Sequence, residues 1–153
     1  MKDTNMLELK AAQLLGIIQQ LSTTRAQKLL APQGFVYNQF AVLSHFYSNQ
    51  SRSHTITELA DIMEMNQPNV TKTIRNLHER GYVTYTLDEE DKRRKQISIT
   101  PAGVDKCLEV LKSLTPDTHR MFAEWQPDEL EAFVFYLQKH KDWLDENRKV
   151  EVI

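Results

Sequence analysis

Cysteine, glycine and proline are scarce: the 153 residues include one Cys, four Gly and five Pro. One thiol excludes an internal disulfide framework and any cysteine-cluster zinc site. So few glycines and prolines argue against a loop-rich all-β fold and against a disordered chain. Long apolar runs are missing too; none approaches the ~18 residues that a membrane span needs. Met1 to Lys10 carries Asp3 and Glu8 and has no apolar h-region, so no signal peptide or membrane partner is expected and the cytoplasm is the default location. Nor is there a large charge of one sign. The net is −2, which excludes a protein that grips polyanions with its whole surface. No Ser-His-Asp order, glycine-rich phosphate loop or pair of carboxylates in a protected setting stands out, so neither catalytic residues nor a cofactor are expected. The histidines at 45, 54, 78, 119 and 140 show no ligand spacing, and no metal is expected.

What is present is enough apolar material for a real core, 41% of residues, and an uneven charge distribution. Asn66 to Thr100 holds seven Lys/Arg against five Asp/Glu, a balance of +2, whereas Met121 to Ile153 holds four against eight, −4. A positive middle and a negative tail suggest two tasks in one chain. One compact domain, or one domain with helical extensions, is the expected organisation.

Periodicity predicts a mainly α chain with one β-hairpin. In a first helix, Asn5 to Leu30, the positions Leu7, Ala11, Leu14, Ile18 and Leu21 alternate steps of four and three, a coiled-coil-like seam. At 1.5 Å per residue that helix is roughly 40 Å long. It can serve the core, a subunit interface, or both. Ala31-Pro32-Gln33-Gly34 breaks it, and a second helix spans Tyr37 to Ser48. Thr55-Ile56-Thr57-Glu58 is a capping box opening a short third helix. Asn66 caps a fourth, with Pro68 in its first turn and Gly81 at its end. That helix turns Val70, Ile74 and Leu77 inward, and Gln67, Asn69, Thr71, Lys72, Arg75 and His78 outward. Val83, Tyr85 and Leu87 alternate with threonines, and Ile97 and Ile99 flank Ser98; the charged run Asp88 to Lys95 joins these two strands. Thr100-Pro101 opens a fifth helix, which Pro116 is expected to kink or interrupt. Pro127-Asp128-Glu129 opens a sixth, carrying Leu130, Phe133, Val134, Leu137 and Leu144.

The third and fourth helices read as a helix-turn-helix and the hairpin as a wing beside it. Gln67 and Asn69 offer donor–acceptor pairs to base edges, Arg75 suits guanine, and Thr71 and Lys72 suit phosphates. The free amides at the helix start can also donate to a phosphate. Lys92, Arg93, Arg94 and Lys95 are four consecutive cations at the hairpin tip. Asp91 is placed to orient Arg93, and an oriented Arg fits a narrow minor groove. The opposing reading is a solvated helix face and an ordinary charged hairpin. The acidic approach Asp88 to Asp91 favours it, and with it a winged-helix protein-interaction module that does not bind DNA.

Thr55-Ile56-Thr57-Glu58-Leu59-Ala60, the Asn66 to Arg80 helix, Gly81-Tyr82-Val83, Asp91-Lys92-Arg93 and Ile97-Ser98-Ile99-Thr100-Pro101-Ala102-Gly103 together resemble the multiple-antibiotic-resistance-regulator (MarR) family. The order of helices agrees, so the resemblance covers nearly the whole chain. It implies a homodimer whose first, fifth and sixth helices interlock, with recognition helices in successive major grooves of double-stranded DNA and wings reaching minor grooves. It implies a transcriptional regulator, usually a repressor, released by a small aromatic or phenolic effector or by thiol oxidation. On the matching positions, Gln67, Pro68, Asn69, Thr71, Lys72 and Arg75 fall in the groove-reading helix, and Asp91 to Lys95 in the wing.

The resulting division is residues 1–34 as a dimerisation helix, 35–100 as the winged helix-turn-helix and 101–153 as further dimerisation helices. Leu7, Ala11, Leu14, Ile18, Leu137 and Leu144 are the expected interface. Tyr37, His45, Phe46 and Tyr47 are candidates for an effector pocket, with core packing the competing role. Cys107, on the apolar face of the fifth helix, reads as a buried structural thiol rather than a sensor.

Overall fold

The computed structural model describes residues 3–87 and 89–152. Its elements are α1 (Thr4–Leu30), a 3₁₀ turn (Ala31–Gln33), α2 (Tyr37–Ser48), α3 (Ile56–Met63), α4 (Gln67–Glu79), β1 (Val83–Leu87), β2 (Lys95–Ile99), α5 (Pro101–Met121) and α6 (Pro127–Glu146). Two compact units emerge, Met1–Ser113 and Leu114–Ile153. Among the described residues no helix is long and apolar enough to cross a membrane.

The first unit encloses a core of Leu30, Phe35, Val42, Leu43, Phe46, Leu59, Ala60, Val70, Ile74, Leu77, Val83, Ile97, Cys107 and Val110. Local chemistry sets the helix ends. Thr55 Oγ1 accepts the Glu58 amide at 3.2 Å while the Glu58 carboxylate accepts the Thr55 amide at 3.2 Å, a closed capping box. Between α3 and α4 the chain turns at Glu64, which sits in the left-handed region at φ 51°. Its amide still finds the carbonyls of Ala60 and Asp61, so the helix end is satisfied at the expense of a conformation that costs a non-glycine residue strain. After α4, Gly81 adopts φ 79°, where glycine carries no such penalty.

β1 and β2 pair antiparallel, with Val83 opposite Ile99 and Tyr85 opposite Ile97. His54, just ahead of α3, adds a bridge to the other edge of β2: its amide donates to the Ile97 carbonyl at 3.0 Å and its carbonyl accepts the Ile97 amide at 2.8 Å. The wing is thereby stitched to the segment that enters the helix-turn-helix. At the start of α5, Thr100 Oγ1 donates to the Gly81 carbonyl at 2.6 Å and accepts the Gly103 amide at 3.0 Å. Gly103 packs so closely that a Cβ there would run into the Tyr82 carbonyl and the Ile99 side chain.

Pro116 does not interrupt α5, which continues to Met121. A proline removes one amide and crowds the preceding turn; here the helix tolerates that loss. In the second unit Phe122, Trp125 and Phe133 form an aromatic cluster, with Trp125 and Phe133 centroids 5.0 Å apart. Beyond it α6 is solvent-facing: Val134, Leu137 and Leu144 are exposed, and Lys141 and Arg148 pair with Asp145 at 2.8 and 2.7 Å.

Candidate nucleic-acid interface

α4 divides cleanly. Val70, Thr73, Ile74 and Leu77 are buried, and Gln67, Pro68, Asn69, Thr71, Lys72, Arg75 and His78 are exposed. Thr73 is the addition that apolar periodicity missed, because a threonine methyl can face a core that the pattern assigns to aliphatics. Gln67, Pro68, Thr71, Lys72 and Arg75 line one shallow concavity. Gln67 Nε2 lies 3.5 Å from Thr57 Oγ1 of α3, linking the two helices at their polar edge.

The start of α4 differs from expectation. Pro68 has no amide, Asn69 donates to the Asn66 side chain at 2.9 Å, and Val70 donates to the Asn66 carbonyl at 3.2 Å. The proline and the Asn66 cap remove two of the first-turn donors that a phosphate would use, so anion affinity here falls mainly to side chains.

The wing tip carries Asp91, Lys92, Arg93, Arg94 and Lys95, all exposed; Asp88, the first residue of the acidic approach, lies outside the described residues. Asp91 acts through the backbone. Its carboxylate accepts the Arg93 amide at 3.0 Å and its carbonyl accepts the Arg94 amide at 2.9 Å, an Asx-type turn that shapes the loop bearing Arg93. Arg94 reaches to 3.8 Å of Glu58, and Lys95 lies over the Tyr85 ring.

The four effector-pocket candidates sit in different settings. Phe46 is wholly buried in the core, and Tyr37 is exposed. Tyr47 and His45 are half-buried. Ten residues separate Tyr37 from Tyr47, about 15 Å along the helix. His45 Nε2 meets His54 Nε2 at 3.3 Å, and His54 Nδ1 lies 3.5 Å from Glu58. Burial, then the neighbouring His54 and Arg52, hold the His45 pKa below its ordinary value. Cys107 is buried with its Sγ 3.9 Å from Ser44 Oγ. Burial pushes its thiol pKa up, against a smaller opposing effect of Ser44, which disfavours the reactive thiolate. The expected interface residues Leu7, Ala11, Leu14 and Ile18 of α1 and Leu137 and Leu144 of α6 are all exposed in the single chain.

A short helix pair whose second member turns a polar and cationic row outward, followed by a hairpin with a cationic tip, defines a winged helix-turn-helix protein. Over residues 33–94 the sequence matches the MarR family. That match takes in α2, α3, α4 and the hairpin up to its tip, about two fifths of the chain. Curated relatives include the HTH-type transcriptional regulator Hpr of Bacillus cytotoxicus, 28% identical over 96 residues, which are 63% of this chain and 51% of that protein. Hpr of Bacillus mycoides is 26% identical over 121 residues, 79% of this chain and 64% of that one. The chain thus spans between about half and two thirds of the length of these relatives. Among solved structures, the regulator BldR from Sulfolobus solfataricus superposes with a TM-score of 0.77 at 20% identity, covering 93% of this chain and 99% of that one. Wild-type MarR from E. coli gives 0.74 at 20% identity, covering 84% and 93%. A mutant of MepR from S. aureus bound to an oligodeoxyribonucleotide gives 0.59 at 21%, covering 88% and 97%. These structural likenesses establish a shared fold.

Proposed function

We propose that the chain is a sequence-specific, DNA-binding transcriptional regulator acting as a homodimer on a pseudo-palindromic duplex site, as a repressor that a small aromatic or phenolic effector releases. The observation that carries this reading is the pairing of the exposed row of α4 with four consecutive cations at the wing tip. Gln67, Asn69 and Arg75 supply groups that discriminate base edges, and Lys72 and Thr71 supply phosphate contacts. Arg93, on the loop that Asp91 shapes, is the minor-groove residue. In this reading residues 1–34 and 101–153 provide the dimerisation helices around the DNA-binding region 35–100. The exposed leucines and isoleucine of α1 and α6 support the homodimer, because a second copy would remove them from water. Tyr37, exposed, and Tyr47, half-buried, suit an aromatic effector.

The test is selection of bound sequences from random duplex DNA. A two-fold symmetric site with half-site centres about 34–36 Å apart is expected, with affinity that falls as salt rises. Unselective recovery with no salt dependence would instead favour the protein-interaction module, to which the exposed Glu89, Glu90 and Asp91 of the wing approach are suited.

A further inference from the structure

The outward row of α4 continues past Arg75. His78, three residues on, lies close to the face shared by Thr71 and Arg75. Its ring stacks on Tyr85 of β1, with centroids 4.2 Å apart and planes 23° from parallel. Tyr85 pairs with Ile97 across the hairpin, which makes Lys95 its diagonal neighbour on the same sheet face. Lys95 Nζ accordingly sits 4.7 Å from the Tyr85 ring centroid. His78 and Lys95 are exposed and Tyr85 is half-buried. One tyrosine therefore ties the end of the recognition helix to the base of the wing and carries a cation as it does so.

In duplex DNA a single sugar–phosphate strand separates a major groove from the adjoining minor groove. A protein whose helix enters the first and whose hairpin tip reaches the second must straddle that strand with the residues in between. In this chain His78, Tyr85 and Lys95 link the end of α4 to the base of the wing. Resting on the DNA-binding reading above, we propose that they form a backbone saddle. Tyr85 is a positioning residue that sets the wing against α4, and it holds Lys95 and His78 ready for the phosphates lying between the two grooves. A lysine already resting on an aromatic face has less rotamer freedom to lose on binding, so the contact is pre-organised.

The experiment measures duplex binding by the full chain across a salt series. Lys95→Ala should weaken specific and unrelated duplexes alike and shallow the log-affinity against log-salt slope by about one. Tyr85→Leu keeps apolar bulk but removes the ring, and should lose affinity about three- to tenfold with a shallower slope. Tyr85→Phe keeps the ring and should bind as wild type. Wild-type affinity and slope in both Tyr85→Leu and Lys95→Ala would overturn the saddle while leaving DNA binding intact. If Tyr85→Leu does not fold, Lys95→Ala and His78→Ala, both at exposed positions, decide the matter by the same two readouts. A wild-type chain that binds no duplex even at low salt would overturn the DNA reading itself, and the saddle with it.

Discussion

α4 and α1 both carry apolar seams, sharply one-sided in α4 and more spread in α1, yet they end up in opposite circumstances. α4 buries Val70, Ile74 and Leu77 almost completely. α1 buries Leu30 alone and leaves Leu7 55%, Leu14 44% and Ile18 49% exposed. α6 resembles α1, with Leu137 42% and Leu144 51% exposed. The helix-turn-helix and wing therefore bury their apolar faces in a core shared with α2 and the first half of α5, whereas α1 and α6 keep exposed apolar surface. Each buried leucine is worth roughly 1.5–3 kcal/mol relative to exposure, so leaving several uncovered is costly unless another surface removes them from water. The contrast teaches that amphipathic spacing announces burial without saying against what.

The strongest way to break this comparison is to charge the exposed seam. Leu14→Asp combined with Ile18→Asp should turn a dimer into a monomer in sedimentation and reduce duplex affinity by about a hundredfold or more, since two linked half-site contacts become one. The isolated winged-helix signature in circular dichroism should persist; a dimer that survives both charges would refute α1 as interface. Next comes the closed region itself. Gly103→Ala forces a methyl against the Tyr82 carbonyl and should cost about 1–3 kcal/mol in denaturant unfolding. Arg93→Ala separates function from packing: it should lose about 1–3 kcal/mol of specific binding with oligomeric state unchanged, and a variant binding like wild type would remove the wing from recognition.

The smallest expected effect concerns pH. The His45 pKa is held below its usual value in the folded chain, so the unfolded chain takes up the proton first. Stability contributed by neutral His45 is present above the ordinary histidine pKa, about 6.5, and is lost as pH falls from there toward the depressed folded value. His45→Gln should flatten the fall in thermal midpoint over that window; an unchanged profile would place the acid sensitivity elsewhere.

Much of the fold was legible because its rules are local. Thr55 and Glu58 cap across three residues, Asn66 caps Asn69, and the period-two threonines mark β1; each reports its structure within one turn of chain. α2 was read at Tyr37 to Ser48, where it stands. The exposed row of α4 was equally readable from its spacing. The rest depended on contacts between distant residues. Pro116 looked like an interruption because one missing amide weighs heavily in an isolated helix and less in one of 21 residues. The free amides expected at the start of α4 are reduced by Pro68, which has none, and by Asn66, whose side chain takes that of Asn69. His45 against His54, His54 against Ile97 and His78 against Tyr85 have no sequence signal, since no local spacing specifies which rings meet.

Sequence alone determined the order of the helices and most of their starts, the hairpin, the outward face of α4 and the cationic tip, because backbone capping and amphipathic period act over a few residues. Tertiary structure decided which apolar seams were satisfied, how His54 stitched β2 to the entry of α3, and that a single tyrosine would join helix to wing. Those outcomes depend on the packing of segments far apart in the chain, where shape and burial act on pairs that spacing does not name.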